Sequence, residues 1–389
     1  MPDRVLNILQ TNKAYYPVLG GVETVLQLLA EGLHRRDDVS VRVLVCDPTS
    51  RLGSRDAVVN GVRVTYARTQ GVVSSMPVSL AYAWRLARAK ADIIHVHEPF
   101  PLADISLMAS VIFKRTPPRI VLSWHNDIVR QKRVRAIYTP LLRRFLDRVD
   151  RVVVATPHHI TSSHILPEYA EKCSVIPYGM DLSWAAHPES LAPRAAQVRA
   201  MYGSPLVLFV GRLVYYKGVE YLVRAMAEIP DARLLIVGAG PLEGDIAREI
   251  AGLKLTGRVT VIPPVAVEEL HALYAACDLF VLPSAHPTEG FGIVQVEAMA
   301  CGKPVVSTDL PTGVTYVNRH GDTGLIVPPA DHRALAGAIR TLLGDSALRD
   351  AMGTRAREWA VREFSQEAMI DRTVRLYRQI LETQGAGTV

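Results

Sequence analysis

The sequence has 389 residues, of which 49% are hydrophobic and 21% are charged, and its formal net charge is +6. This length exceeds one ordinary core and predicts two domains of somewhat under about 200 residues each. No apolar run approaches the roughly 18 residues of a membrane-spanning helix and no signal-peptide pattern opens the sequence, so we expect a soluble, cytoplasmic protein. The four cysteines lie far apart without a Cys-x-x-Cys pair, which favours reduced core residues over zinc or redox sites: Cys46, Cys173, Cys277 and Cys301.

The first half of the sequence alternates apolar strands with helical stretches. A strand at 5–9 is followed by a loop and then by a helix stripe that starts near Val22. Such alternation predicts a parallel sheet whose ligands bind beyond the carboxyl ends of the strands. Gly20 and Gly21 stand where the first helix begins and let a phosphate or sugar approach the backbone, although a plain turn is the commoner explanation of such a pair. Further strands are predicted at 41–45, 62–66, 92–96, 119–123, 151–155 and 174–176.

Histidines stand at the ends of two of these strands. Alternation places His95 and His97 on one face, a geometry that a metal could use, but no third ligand stands at a clear spacing. A hydrogen-bonded strand end is therefore favoured, with His97 near the ligand site. His125 directly follows the strand at 119–123, and Asp127 is a weaker candidate beside it.

The segment 130–148 interleaves seven cations with apolar residues such as Ile137, Leu141 and Phe145. One interpretation is a basic amphipathic helix that lies on an anionic membrane surface; an ordinary helix with a solvated charged face is equally supported. We expect no nucleic acid as a partner, because the segment lacks a recognised binding module and an aromatic platform.

The domain boundary is predicted in an Ala-, Pro- and Ser-rich stretch. We expect an N-terminal domain at 1–182, a linker with a short helix at 183–203, a second domain at 204–364 and a final helix at 365–389. The second domain opens with an apolar strand at 206–210, and Arg212 and Lys217 follow its carboxyl end. After a strand at 259–262, Pro264 and Val265 mark another strand end, where we expect a nucleobase to meet main-chain groups.

The most informative stretch runs from an apolar strand at 278–282 to a helix that starts near Ile293. Glu289 lies in the loop and Glu297 about one turn inside the helix, too far apart to flank one bond as a glycosidase pair does. Gly290, Phe291 and Gly292 form a helix N-terminus open to an anion. The pattern therefore predicts a long ligand with hydroxyls at one end, a diphosphate in the middle and a ribose at the other.

These motifs resemble a known family. Glu289 and Glu297 with seven residues between them, the Gly-Phe-Gly after the first, and the Gly-Arg-Leu…Lys-Gly of 211–218 are similar to the signature of retaining glycosyltransferases of family 4. The resemblance implies the GT-B fold: two facing doubly wound Rossmann-like domains with an interdomain cleft, and a C-terminal helix that crosses back to the first domain. The segment 177–181 departs from the family pattern, since Tyr178 replaces Asn and Met180 replaces Val.

The resemblance also implies residue roles. The first domain would bind the acceptor and the second the nucleotide sugar. Because two cations would neutralise the diphosphate, no metal and no other cofactor is expected. The implied roles are Arg212 and Lys217 on the diphosphate, Glu289 on sugar hydroxyls, Glu297 on the ribose, His125 beside the sugar, Gly20 and Gly21 bordering diphosphate and acceptor, the backbone of Gly290, Phe291, Gly292, Ile293 and Val294 on phosphate and sugar, and Pro264 and Val265 at the base.

The expected reaction is transfer of a hexosyl unit with retention, by front-face displacement, to a glycan or lipid-linked acceptor. The segment 311–318, with His320 and Gly321 after it, resembles bacterial enzymes that assemble surface polysaccharide from mannosyl or rhamnosyl units, which favours a GDP-mannose-like donor over a UDP-hexose. The expected location is cytoplasmic, with peripheral contact on the inner face of the plasma membrane as an alternative. A nucleotide-sugar epimerase and a non-catalytic nucleotide-sugar binding protein remain as rival hypotheses.

Overall fold

The computed structural model describes residues 4–18, 20–47, 53–73, 76–111, 118–125 and 132–383, the side chains of 110–111 and 132–137 excepted. The chain divides into two compact units, one formed by Met1–Met180 with Gln366–Val389 and the other by Asp181–Ser365. Each unit has its own sheet of mainly parallel strands connected by helices. The predicted α/β class with two doubly wound, Rossmann-like units is therefore confirmed.

The first unit alternates strands and helices. Its strands are β1 (Leu6–Asn12), β2 (Val39–Asp47), β3 (Arg55–Val59), β4 (Val62–Arg68), β5 (Gly71–Val73), β6 (Met76–Val78), β7 (Ile93–Glu98), β8 (Arg119–Trp124), β9 (Arg151–Val154) and β10 (Cys173–Val175). The helices between them are α1 (Gly21–His34), α2 (Leu80–Ala87), α3 (Pro101–Val111), α4 (Lys132–Arg148) and α5 (Pro157–Ser162), with a 3-10 segment at Leu166–Lys172.

Eight of these strands form one sheet in the order β10-β9-β8-β7-β1-β2-β4-β3, in which β3 pairs antiparallel with β4 and the other pairings are parallel. β5 and β6 form a separate antiparallel pair. From β1 the chain proceeds to β2 and β4 on one side and later to β7 on the other. The carboxyl ends of β1 and β7 therefore meet where the strand order reverses, the place at which doubly wound sheets bind ligands.

The second unit repeats this plan. Its strands are β11 (Leu206–Val210), β12 (Arg233–Val237), β13 (Val259–Ile262), β14 (Leu279–Leu282), β15 (Val305–Thr308) and β16 (Gly324–Val327). Its helices are α6 (Pro188–Tyr202), α7 (Val219–Ala227), α8 (Glu243–Gly252), α9 (Val267–Ala276), α10 (Ile293–Ala300), α11 (Val314–Val317), α12 (His332–Gly344) and α13 (Ser346–Phe364), with 3-10 segments at Ser183–Ala185 and Tyr215–Lys217.

The sheet of the second unit has the order β13-β12-β11-β14-β15-β16, and its pairings are parallel. The order reverses between β11 and β14, so the loops after these two strands are neighbours. All five residues of β11 are buried, which is typical of a parallel strand covered on both faces. Leu222 of α7 and Ile339 of α12 pack in the core of this sheet.

The last helix, α14 (Gln366–Glu382), belongs to the first unit. Its buried residues Met369, Val374 and Tyr377 share a core with Ile8 of β1 and Leu33 of α1. The predicted return of the final helix to the first domain is thus confirmed.

The segment 183–203, predicted as a linker with a short helix, is part of the second unit. Helix α6 occupies most of it, and Ala195 and Val198 on this helix are buried. Arg194 of α6 donates two hydrogen bonds of 2.8 Å to Glu269 of α9. The composition suggested a connector because small residues and prolines conceal how much apolar surface this helix buries.

The basic segment 130–148 begins outside the described residues and continues as α4. From residue 138 onward its apolar side chains Tyr138, Leu142 and Phe145 lie in the core of the first unit, so this part of the helix has no apolar face to lay on a membrane. Arg144 and Arg148 are exposed. Among the described residues, no helix is both long enough and apolar enough to cross a bilayer.

Candidate active site

In the second unit, the predicted site residues gather at the carboxyl ends of β11 and β14. Lys217 ends the short 3-10 segment after β11, and Glu289 lies in the loop after β14. Since these two strands are paired at the point where the strand order reverses, the loops that follow them are neighbours. The N–H of Ala285 donates to the carbonyl of Tyr216 at 2.9 Å and ties the loops together.

Lys217 and Glu289 form a buried ion pair. The Lys217 ammonium lies 2.6 Å from Oε2 of Glu289, and the two side chains are 11% and 10% exposed. The hydroxyl of Ser284, the second residue after β14, donates to the same oxygen at 3.0 Å. This arrangement fixes a cation and a carboxylate side by side, so it can offer a positive charge to phosphate and a hydrogen-bond acceptor to sugar hydroxyls.

Two glycines make the loop geometry feasible. Gly218 has φ +63°, and a Cβ there would lie 2.2 Å from the carbonyl oxygen of Pro283. Gly292 has φ +71°, and a Cβ there would lie 2.6 Å from Leu282. Both conformations favour glycine, and at Gly218 the approach to a backbone carbonyl also excludes a side chain. The glycines therefore let the loops that carry Lys217 and Glu289 pack closely against the end of β14.

The loop between Glu289 and α10 is rigidly anchored. Phe291 is buried and packs edge-on against Phe364 at 5.7 Å, so its ring faces the core and not a ligand. Gln295, fully buried, donates to the carbonyl of Phe291 at 2.8 Å. The carbonyl of Gly290 accepts from the N–H of Gly313 at 2.7 Å, which links the loop to the one after β15.

The first turn of α10 presents its backbone N–H groups beyond this loop. Ile293 is 49% exposed and Val294 is half-buried. The first amides of a helix have no partner within the helix, and the helix dipole favours an anion there. A phosphate at this place would meet the positive end of α10.

Glu297 lies in the second turn of α10 and is held by a residue that the sequence did not suggest. The hydroxyl of Tyr274, on α9, donates to Oε2 of Glu297 at 2.6 Å. Burial raises the pKa of Glu297 above its ordinary value, and the Tyr274 hydrogen bond works against that rise. The other oxygen of the carboxyl group can serve the ribose hydroxyls that the resemblance assigns to it.

The remaining predicted residues of the second unit lie at the same edge of the sheet. Arg212 follows β11 by two residues and is exposed. Pro264, exposed, and Val265, half-buried, follow β13, which is separated from β11 by β12. Parallel strands bring these three positions to the carboxyl edge.

In the first unit, Gly20 and Gly21 begin α1 as predicted, but a carboxylate lies beside them. A Cβ on Gly20 would meet Oε2 of Glu23 at 2.3 Å, so the glycine makes room for this acidic side chain. Glu23 is 8% exposed and accepts from Asn12, the last residue of β1, at 3.4 Å. At Gly21 a Cβ would meet no atom within 4 Å. The N-terminus of α1 thus already holds a negative charge of its own.

His125 follows β8 and is 4% exposed. Its Nε2 lies 3.0 Å from Nδ1 of His97, and its Nδ1 lies 3.1 Å from the hydroxyl of Tyr178. The three rings are nearly parallel, with interplanar angles of 15° and 14°. Burial lowers the pKa of His125 to about 3, so the ring is neutral at physiological pH. The sequence indicated His125 and His97 as site residues, but it predicted neither their contact nor the contact of His125 with Tyr178.

His95, predicted with His97 on one face of β7, stacks on it with ring centroids 4.9 Å apart. In the described part of the chain, no group of three or more His, Cys, Asp or Glu is arranged to hold a metal ion. Asp127, the weaker candidate beside His125, lies outside the described residues.

Two family models match the sequence in succession. The model described as Glycosyltransferase Family 4 matches residues 19–184, and the model described as Glycosyl transferases group 1 matches residues 196–359. The chain is similar to O-antigen chain mannosyltransferase C of Escherichia coli, with 33% identity over 382 residues, 97% of this chain and 100% of the relative. It is also similar to D-rhamnosyltransferase WbpZ of Pseudomonas aeruginosa, with 34% identity over 355 residues and 90% of each chain.

A solved structure of HepE from Anabaena in complex with UDP matches with a TM-score of 0.73, 22% identity, and coverage of 96% of this chain and 100% of that one. At this identity the likeness shows the fold, and it agrees with the GT-B fold that the resemblance implied.

Proposed function

The chain belongs to glycosyltransferase family 4, and on that premise we propose that it moves a hexosyl unit from a nucleotide-diphosphate sugar to a glycan or lipid-linked acceptor, with retention at the anomeric carbon. The second unit holds the donor and the first holds the acceptor. The observation that carries this proposal is the buried Lys217–Glu289 ion pair at the strand-order reversal of the second unit.

The assigned roles follow from charge and position. Lys217 and Arg212 stabilise the diphosphate as it gains negative charge, together with the first amides of α10. Glu289 accepts hydrogen bonds from sugar hydroxyls, and Glu297 accepts them from the ribose. These two cations supply the charge stabilisation that a divalent metal gives elsewhere, so the proposed reaction needs none.

The proposed chemistry is front-face displacement. The bond from the anomeric carbon to the phosphate oxygen breaks, the acceptor oxygen bonds to the same face, and the acceptor proton passes to the departing phosphate. Glu289 is already neutralised by Lys217 and accepts from Ser284, which suits a binding role better than attack on carbon. Isolation of a covalent glycosyl-enzyme would contradict this mechanism.

We propose a GDP-mannose-like donor and an acceptor in cell-surface polysaccharide synthesis, because the two curated relatives carry mannosyltransferase and rhamnosyltransferase names. The segment that resembles such enzymes also touches the site: Gly313 donates to the carbonyl of Gly290. A UDP-hexose is the competing donor.

The test begins with a thermal-shift panel of GDP- and UDP-sugars, followed by donor hydrolysis and transfer with the sugars that bind, each with and without EDTA. We expect GDP-mannose to stabilise the protein and to be turned over in EDTA. Release of a free epimerised sugar with no acceptor would favour the epimerase, and binding without turnover would favour a silent binding protein.

The matched variants are Glu289→Gln and, as a control, Glu249→Gln. Glu249 is also an ion-paired glutamate of the second unit, bound to Arg224 on its surface. We expect Glu289→Gln to lower turnover roughly a hundredfold, the loss typical of one preorganised polar contact, and Glu249→Gln to leave it unchanged. Turnover of Glu289→Gln within about threefold of the wild-type value would remove the role assigned to Glu289.

Contact with an anionic membrane is a separate proposal. It rests on charge alone, because α4 exposes arginines such as Arg144 and Arg148. Such attraction contributes about 1 kcal/mol per cation near the surface. Co-sedimentation with neutral vesicles and with vesicles that contain about 30% anionic lipid measures this binding. Equal partitioning into both would contradict it.

A further inference from the structure

A continuous hydrogen-bonded chain inside the first unit joins the last helix to His125. Nε2 of Gln10 donates to the hydroxyl of Tyr377 at 2.9 Å, and Oε1 of Gln10 lies 3.0 Å from Nε2 of His97. His97 in turn meets His125, and His125 meets Tyr178. We call these five residues the imidazole relay. Gln10, His97 and Tyr377 are 0% exposed, so the relay lies in the interior of the unit.

The chemistry of each atom sets the direction of the protons. An amide oxygen can only accept, so Nε2 of His97 carries the proton that Oε1 of Gln10 binds. Since burial keeps both rings neutral, each carries one N–H. Nδ1 of His97 is therefore an acceptor for Nε2–H of His125, and Nδ1 of His125 is left to accept from the hydroxyl of Tyr178.

A side branch is consistent with this order. Because the Tyr377 hydroxyl accepts from Gln10, its own proton is available to Nδ1 of His95 at 2.6 Å. Nε2 of His95 then donates to the hydroxyl of Ser123 at 2.8 Å. The reverse orientation of the Gln10 amide would reverse every bond and put the His125 proton on Nδ1, which makes the order measurable.

We propose that Gln10, His97 and Tyr377 are positioning residues of His125: they hold its imidazole with Nε2–H directed into the first unit and Nδ1 as the acceptor beside Tyr178. The inference rests on the proposed function, in which His125 lies beside the sugar.

The relay also restricts what His125 can bind. Its Nε2 proton is committed to the buried His97, so a ligand meets the ring at Nδ1, where the Tyr178 hydroxyl now stands. A lone pair accepts from a sugar hydroxyl but repels an unprotonated phosphate oxygen. The relay therefore assigns His125 to a sugar hydroxyl and not to the diphosphate.

The test compares two changes at His97. His97→Phe keeps an aromatic ring but has no nitrogen, whereas His97→Gln keeps one donor and one acceptor and can continue the relay. A second matched pair is Tyr377→Phe with the control Tyr82→Phe; Tyr82 is also fully buried in the first unit, but its hydroxyl bonds Thr11 outside the relay. The readouts are kcat and KM with GDP-mannose and the imidazole 15N shifts of the ligand-free protein, assigned by their loss in His125→Gln.

We expect wild-type His125 to be protonated on Nε2. His97→Phe should lower kcat about 10- to 100-fold, the loss typical for outer partners of functional histidines, with a donor KM within about twofold. His97→Gln should recover most of that kcat, and Tyr377→Phe should lower kcat while Tyr82→Phe should not.

A His125 proton on Nδ1, or equal loss of kcat in His97→Phe and His97→Gln with unchanged His125 shifts, would overturn the proposal. If wild-type protein turns over no nucleotide sugar, the proposed function fails, while the nitrogen shifts still decide whether the relay fixes the ring.

Discussion

At the scale of single residues, removing either Lys217 or Glu289 should lower the stability of the second unit, because the remaining partner would be a buried, unpaired charge. Both are about nine-tenths buried. We expect Lys217→Met to destabilise the second unit by about 3–5 kcal/mol, because it leaves a buried carboxylate uncompensated. The double variant Lys217→Met with Glu289→Gln should recover most of this stability but none of the activity.

Denaturant unfolding of the two single variants and the double variant measures this coupling. The control is the more exposed pair of Arg224 and Glu249, whose side chains are 44% and 21% exposed and whose coupling should stay below about 1 kcal/mol. Equal coupling energies for the two pairs would contradict the claim that burial strengthens the coupling between Lys217 and Glu289.

His125 adds a pH dependence to the stability of the first unit. Its pKa is about 3 in the folded protein, against about 6.5 when unfolded. Between these values the unfolded chain binds a proton that the folded chain does not. The stability is therefore complete above about pH 6.5 and falls by about 1.4 kcal/mol per unit as the pH decreases toward 3.

His125→Gln removes this titration. The unfolding free energy of the variant should therefore decrease less steeply toward low pH than that of the wild type, by about 1.4 kcal/mol per pH unit. His95 and His97, whose pKa values burial also lowers, remain in both proteins, as does His159, whose charge acts on His125. Unfolding free energies at several pH values between about 4 and 7 test the difference. Parallel curves for the two proteins would show that His125 is not held neutral.

The sequence identified Lys217, Glu289 and His125 individually, because each follows an apolar strand at a position that matches the resembled family. It did not identify their partners. Gln10 and Tyr377 are separated by 367 positions in the sequence, and no local pattern marks either as part of a site. Partners of this kind are brought together by strand order and by the return of the last helix, so they become visible only in the fold.

At the scale of elements, the conformation of the loop that carries Lys217 depends on Gly218, the glycine after the 3-10 segment. Gly218→Ala places a methyl group against the carbonyl of Pro283 at a φ of +63°. We expect a loss of about 1–3 kcal/mol in stability and a loss of activity, because the loop must shift to relieve the contact.

Gly337→Ala is the matched control, since a Cβ at this position of α12 meets no atom within 4 Å. It should be neutral or stabilise by up to about 1 kcal/mol. Thermal unfolding and turnover of both variants give the comparison. An active, fully stable Gly218→Ala protein would contradict the role given to this loop.

Most core strands were predictable because buried parallel strands are continuous apolar runs; β11 lies at the residues expected. β4 was predicted at 62–66, but β3 and its hairpin pairing with β4 were missed, although Asn60 and Gly61 between the strands, with φ of 49° and 85°, are a recognisable turn signal. β5 and β6 have three residues each, too few to show alternation. α6 was underestimated because its helix periodicity is interrupted by small residues and Pro193.

At the scale of the whole molecule, the first unit depends on two separated parts of the chain. Helix α14 contributes six apolar side chains to its core: Met369, Ile370, Val374, Leu376, Tyr377 and Ile380. Each fully buried side chain contributes about 1.5–3 kcal/mol to stability. The sum over the six is therefore comparable to the free energy of unfolding of a whole domain, which is about 5–15 kcal/mol.

A chain that ends at Ser365 should therefore fail to fold its first unit while residues 181–365 keep their protection. Limited proteolysis with peptide mapping measures this, and a chain that ends at Thr383 is the control. Equal protection of 4–180 in both chains would show that the core closes without α14.

The split of the first unit has a consequence for how the protein is made. The ribosome synthesises residues 181–365 in one uninterrupted stretch, so the second unit can fold while the protein is still being translated. The core of the first unit stays incomplete until Tyr377 has been synthesised, and in the proposed relay the same tyrosine completes the hydrogen bonds that orient His125. A nascent chain that stalls before that point would lack the proposed relay, so the proposed transfer could begin only after α14 has been synthesised.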